Sequence, residues 1–143
     1  ALLAAAGGEK KTARKRMAWV EGEDDPFTAA GGLMLDIVAG RKKIDEKARA
    51  LGERFGAGTI GWRINSYGYL FLENEHPEIA ERVFLLNTRL GPEVANTWDS
   101  LADSQMALGK TAEAIASFEK VLEIEADNER AKEMIEKLRS EQE

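Results

Sequence analysis

Ile64-Asn65-Ser66-Tyr67-Gly68-Tyr69-Leu70-Phe71 is followed, 34 residues on, by Trp98-Asp99-Ser100-Leu101-Ala102-Asp103-Ser104-Gln105, and the shared pattern of these two stretches decides the fold. Ile64 falls on Trp98, Tyr67 on Leu101 and Gly68 on Ala102. The register continues downstream, where Ala80 falls on Ala114, Phe84 on Phe118 and Pro92 on Ala126. The positions carry small and large apolar side chains in helical spacing, with turn residues between them. A unit of this period is a pair of helices that cannot bury its apolar face alone, so neighbouring pairs must stack. The expected fold is therefore all-α, an α-solenoid of antiparallel helix pairs. One repeat covers residues 61–94, a second covers 95–128, and a capping helix covers 129–143.

Within the first repeat, a helix is expected from about Trp62 to Glu73, burying Ile64, Tyr67, Gly68 and Phe71. Gly68 marks a close approach of two helices that a larger side chain would prevent. His76-Pro77 makes the turn, with Pro77 at the first helical position where its missing N–H is no loss. The next helix buries Ala80, Val83, Phe84 and Leu90 and stops at Gly91-Pro92. In the second repeat, Trp98, Leu101, Ala102 and Gln105 line the first helix, and Gly109 ends it. Ala114, Ile115, Phe118, Val121 and Leu122 line the second. Asp127-Asn128 supplies a cap for a last helix with Ala131, Met134, Ile135 and Leu138 on one side. Its remaining positions are charged, as the outer face of a terminal unit must be.

Upstream, residues 27–60 read as a divergent helical hairpin. Leu33, Met34, Ile37 and Val38 give one apolar face up to Gly40. Ile44, Ala48, Leu51 and Phe55 form a clean stripe at i, i+4, i+7 and i+11. Lys42, Lys43, Lys47, Arg49 and Arg54 fall off that stripe and are expected to stay wet. Gly56-Ala57-Gly58 is expected to close the hairpin as an interhelical loop. Residues 1–26 read as an N-terminal arm, flexible or helical. Its basic run Lys10-Lys11-Thr12-Ala13-Arg14-Lys15-Arg16 has no interleaved aromatics, so a solvated segment is expected rather than a nucleic-acid contact. Ala1-Leu2-Leu3-Ala4-Ala5-Ala6-Gly7 lacks the basic flank and full apolar stretch of a secretion signal, and reads as ordinary helix or appended sequence.

The charge is divided. Residues 1–60 hold 11 Lys/Arg and 9 Asp/Glu, a balance of +2, whereas residues 61–143 hold 9 and 17, a balance of −8. An acidic repeat half repels phosphates, so nucleic acid is not expected as its partner. No apolar run reaches the roughly 18 residues of a membrane span. There is no cysteine, which removes disulfides and thiolate metal sites and is compatible with periplasm, secretion or cytoplasm alike.

On these residues the chain resembles the tetratricopeptide repeat (TPR) family. Trp98, Leu101, Ala102, Gly109, Ala114, Phe118 and Val121 match the repeat's signature, and the first repeat keeps Gly68, Ala80, Phe84 and Pro92. It departs with Ile64 in place of Trp and Phe71 in place of Tyr. What the resemblance implies is a right-handed superhelix whose first helices line a concave binding face. A narrower likeness is carried by Asn65-Ser66-Tyr67-Gly68-Tyr69, Phe84-Leu85-Leu86-Asn87, Asn96-Thr97-Trp98-Asp99-Ser100-Leu101 and the Phe55-Gly56 pair. These are similar to the C-terminal TPR tails of secreted serine hydrolases, both esterase-like and serine β-lactamase-like. That likeness implies an accessory segment packing against a serine hydrolase domain.

Catalytic patterns fail on context. Gly56-Ala57-Gly58-Thr59-Ile60-Gly61 spells G-x-G-x-x-G, but a dinucleotide loop must follow a strand, and here a helix precedes it. Gly109-Lys110-Thr111 ends like a phosphate loop, yet Ser104 stands where the opening glycine belongs. Ser117-Phe118-Glu119-Lys120 spells S-x-x-K without its partner motifs, and its Phe is the repeat's core aromatic. His76, the single histidine, sits in a turn, and G-x-S-x-G does not occur. The expectation is no enzyme, no cofactor and no metal.

Binding is expected instead on one face of the first helices, through Trp62, Asn65, Tyr69 and Leu72 in one repeat and Asn96, Asp99, Asp103 and Met106 in the next. Each set is spaced i, i+3, i+7 and i+10. The expected partner is a protein or peptide, with Asp99 and Asp103 favouring a basic one. By the family likeness, Asn65, Tyr69 and Ser100 replace the Lys/Asn/Arg clamp that holds peptide carboxylates in chaperone-binding repeats.

Overall fold

The computed structural model describes residues 25–143. The expected arm over 1–26, with its basic run and the opening alanines, lies outside the described residues but for Asp25 and Pro26. Seven helices follow: α1 (Pro26–Val38), α2 (Ile44–Phe55), α3 (Ala57–Glu73), α4 (Pro77–Leu90), α5 (Ala95–Ala107), α6 (Thr111–Ile124) and α7 (Glu129–Ser140). No strand occurs among the described residues, so the fold is all-α. Each helix packs against the next in sequence, most extensively α3 on α4 and α5 on α6.

Local chemistry sets the boundaries. Asp25 caps α1, its Oδ1 accepting from the Phe27 and Thr28 amides at 2.9 and 3.0 Å, and Pro26 takes the first turn. Asn128 caps α7 through Oδ1, which accepts from the Ala131 amide at 3.0 Å. Gly40 and Gly109 end their helices at φ of 67° and 70°, a region costly for residues with a Cβ.

The junction after α2 differs from the expected loop. Gly56 alone, at φ 95°, separates α2 from α3, and α3 begins at Ala57 instead of near Trp62. Gly58 and Gly61 are helical despite a propensity cost of about 1 kcal/mol each. Tertiary contacts overcome that cost. Ile60 is buried in this first turn, and the buried Asn87 amide donates from Nδ2 to the Gly61 carbonyl at 3.1 Å.

Among the described residues the hydrophobic interior forms two clusters. The first joins α1 to α4 and includes Met34, Ile64, Phe71, Val83, Phe84 and Leu101. The second is built from Ala95, Ala102, Ala114, Phe118, Val121, Ala131, Ile135 and Leu138. Trp98 is half-buried against both, and its indole Nε1 donates to the Pro92 carbonyl at 2.9 Å. The buried Gln105 accepts from the Ser117 hydroxyl at 2.7 Å, which accounts for a polar pair between α5 and α6.

Helix α1 exceeds the single apolar face expected of it. Every residue from Leu33 to Val38 is buried, and α1 packs on α3 and α4 as well as on α2. Asp36 is among them, with a relative exposure of 8 %. Its carboxylate is met by Arg41 at 2.8 Å and by Lys47, which reaches down from the wet side of α2. An uncompensated charge at this depth would be strongly unfavourable.

Candidate functional site

The eight residues expected on the binding face separate into three environments. Trp62, Asn65 and Asn96 line a cleft of about 640 Å³ between α2, α3 and the α4–α5 junction. Tyr69, Asp99 and Asp103 form a hydrogen-bonded network across α3, α5 and α7. Leu72 packs half-buried on the first cluster and Met106 on the second.

In the cleft, Trp62 is 61 % exposed and Val94 is 46 % exposed, although both are large and apolar. Leu90 and the Ile60 edge add apolar wall, while Arg49, Glu53 and Glu93 supply charge. The Trp62 ring is held by Arg63, whose guanidinium carbon lies 4.6 Å from the indole and 5.4 Å from the Phe27 ring. Cation–π contacts of this kind restrict an exposed aromatic without burying it. The Asn65 Oδ1 atom is shielded from solvent and has no hydrogen-bond partner. Buried acceptors are rarely left so, and this one borders the cleft.

The network is organised around Arg130, on the first turn of α7. Its Nη1 donates to Asp99 Oδ1 and its Nη2 donates to Asp103 Oδ1 at 2.7 Å. The Tyr69 hydroxyl donates to the other oxygen of Asp103 at 2.8 Å. Burial and the neighbouring Asp103 push the Tyr69 phenol up to about 12, so it remains a donor. Burial also raises Asp99 above its ordinary 3.8, with Asp103 and Glu125 adding to the effect and Arg130 opposing it.

This has a pH consequence. A carboxyl that holds its proton more tightly when folded than when unfolded makes stability fall as pH rises through the interval above 3.8. Arg130 narrows that interval, so Arg130→Ala should widen it. We expect Arg130→Ala to lose more stability than the wild type between about pH 4 and pH 7, measured by urea midpoints at both ends. An equal deficit at the two pH values would contradict the assignment.

Arg130 was not legible as a site residue, because α7 reads as a solvated charged helix. The usable signal was Asp99 and Asp103 at i, i+4, a like-charged pair that needs a cation. The α2 wall and Val94 carry no signal in the repeat pattern, because they lie outside the first helices of the two repeats. His76 occupies the N-cap position of α4 without a side-chain capping bond. Among the described residues no group of three or more His, Asp or Glu could hold a metal ion, and no helix is long and apolar enough to cross a membrane.

No family model matches the chain, and no curated protein matches it in sequence.

Proposed function

We propose that this chain is a non-catalytic helical-repeat module, its helix pairs stacked as a right-handed TPR-type superhelix, that binds a protein or peptide segment. The single observation that carries this reading is Trp62, a large aromatic left 61 % exposed at the rim of a preformed cleft. Such anchors, set among polar groups, supply most of the energy in binding surfaces. Val94 and Leu90 would receive apolar side chains of the segment. Arg49, Glu53 and Glu93 would set its orientation.

The test is selection of binders from a displayed library of random peptides. Trp62→Ala should lower the affinity of selected peptides by about 2 kcal/mol or more and leave the melting temperature unchanged. Binders insensitive to Trp62→Ala, or no binders, would overturn the cleft.

A second reading, an accessory segment packing against a serine hydrolase domain, is favoured by one feature. Phe27, 54 % exposed and outside the cleft lining, joins Trp62 across Arg63 into one aromatic surface that extends beyond the cleft. Phe27→Ala separates the two, since it should weaken domain packing and spare peptide binding.

A further inference from the structure

We propose that Asp99, Asp103 and Tyr69 form a guanidinium-binding site that the chain's own Arg130 fills, and that an arginine of a basic partner enters it by displacing Arg130. The inference rests on reading the chain as a binding module, but it concerns a different site from the Trp62 cleft and shares no residue with it.

Four observations point the same way. First, the acceptors are arranged for a planar fork. One oxygen of Asp103 is taken by the Tyr69 hydroxyl at 2.8 Å, which leaves Oδ1 of Asp103 and Oδ1 of Asp99 to the two terminal nitrogens of one guanidinium. A forked, delocalised cation fits that pair better than a point charge. Second, an aromatic face lies near the bound group, with the Phe118 centroid 5.5 Å from the Arg130 guanidinium carbon. Third, Ser100 is wholly buried beside this pocket, and its hydroxyl has no hydrogen-bond partner by geometry while lying near enough to the Tyr69 phenol to pull its pKa down. The site therefore holds more polar capacity than Arg130 uses.

Fourth, Arg130 is an improvised occupant. It stands second in α7 (Glu129–Ser140), the positive end of the helix macrodipole, where a cation is disfavoured. Its presence there is explained by the two carboxylates and by nothing in α7. Ala131, Ile135 and Leu138 are the buried positions of that helix, and Arg130 is not among them, so its side chain can leave the carboxylates while the helix stays seated on the core. The surrounding repeat half carries a net charge of −8, from 9 Lys/Arg and 17 Asp/Glu over residues 61–143, which draws a cationic partner to this face.

The experiment is chemical rescue. Arg130→Ala empties the site, and millimolar ethylguanidinium is titrated against its melting temperature and against the side-chain resonances of Tyr69. A rise of several degrees is expected in Arg130→Ala, with a smaller rise at higher concentration in the wild type, where the probe must displace Arg130. Ethylammonium should give no such rise, and adding Asp99→Asn with Asp103→Asn should abolish it. Acetyl-arginine-methylamide should bind Arg130→Ala about 10-fold or more tightly than it binds the wild type, because the competing internal arginine is gone. Arg130→Lys, which keeps the charge without the fork, serves if the alanine variant is poorly folded, and should bind the same probe more tightly than wild type. Equal response of wild type and both variants to ethylguanidinium would overturn the proposal, as would an undiminished response after both carboxylates are neutralised. Failure here leaves peptide selection at Trp62 unaffected, so the two readings fall separately.

Discussion

Gly68→Ala is expected to destabilise the protein even though alanine is the better helix former. A Cβ at Gly68 would stand 2.6 Å from Cζ and 2.7 Å from Cδ1 of Phe84, and closer still to Cε1. Phe84 cannot swing away easily, for its side chain is wholly buried and its ring is packed edge-on against Tyr69 at 5.1 Å between centroids. Overpacking of this kind costs about 1–3 kcal/mol, and more when a whole ring must move. The helix-propensity gain of about 1 kcal/mol offsets part of it. A net loss near 2 kcal/mol, or roughly 5–10 °C in melting temperature, is the expected outcome for a chain of this size. Gly68→Leu should not fold. Pairing Gly68→Ala with Phe84→Leu should recover part of the loss, since the smaller side chain vacates the clash, and a double-mutant cycle would show the coupling. A raised urea midpoint for Gly68→Ala alone would mean that α3 and α4 do not approach as closely as described.

Phe118→Ala should cost about 3–5 kcal/mol, the range for deleting a fully buried aromatic. Four of the eight members of the second cluster are alanines and Phe118 is its largest fully buried side chain, so its removal leaves a cavity that the neighbours fill only in part. The consequence should be regional. Because the second cluster draws only on α5 to α7, with Trp98 and Leu101 tying α5 to the first cluster, unfolding of α5 to α7 need not carry α1 to α4 with it. Hydrogen exchange should report lost protection from Ala95 onward with retained protection around Met34, Ile64 and Phe84. Phe84→Ala, by contrast, should lower protection throughout, since the first cluster includes Leu101 of α5 as well as α1 to α4. Uniform loss in both variants would contradict this division.

The sequence made the all-helical class legible because its apolar spacing is strict where burial is one-sided. Ile64, Phe71, Ala80, Phe84, Ala114 and Phe118 are all fully buried, and Asn128 caps α7 as its position before the last stripe implies. Errors arose where tertiary contact overrides local preference. Three glycines in six residues read as a loop, but burial of Ile60 and the Asn87–Gly61 hydrogen bond make all but Gly56 helical. Helix α1 read as one-faced because α3 and α4 cover it from directions a single-helix pattern cannot encode.

At the site, periodicity placed Trp62 and Asn65 on one face of α3, since a face is a local property, and packing brings Asn96 of α5 to the same cleft. It did not reveal that Asp99 and Asp103 already hold a cation, because Arg130 arrives from 27 residues beyond Asp103 along the chain. Nor could it supply the cleft's opposite wall from α2, which depends on the single-residue break at Gly56. A binding surface assembled across helices is a consequence of packing, and packing is what one helical pattern leaves unstated.

The most direct measurement of the account is residue-resolved NMR of the folded chain titrated with a peptide selected against it. The largest shifts should fall on the Trp62 indole N–H, the Asn65 and Asn96 side-chain amides and the backbone around Val94, and Trp62→Ala should erase them. Shifts confined to the opposite face of α4 and α6, with Trp62 unmoved at saturation, would contradict the assignment of the cleft as the surface this protein binds with.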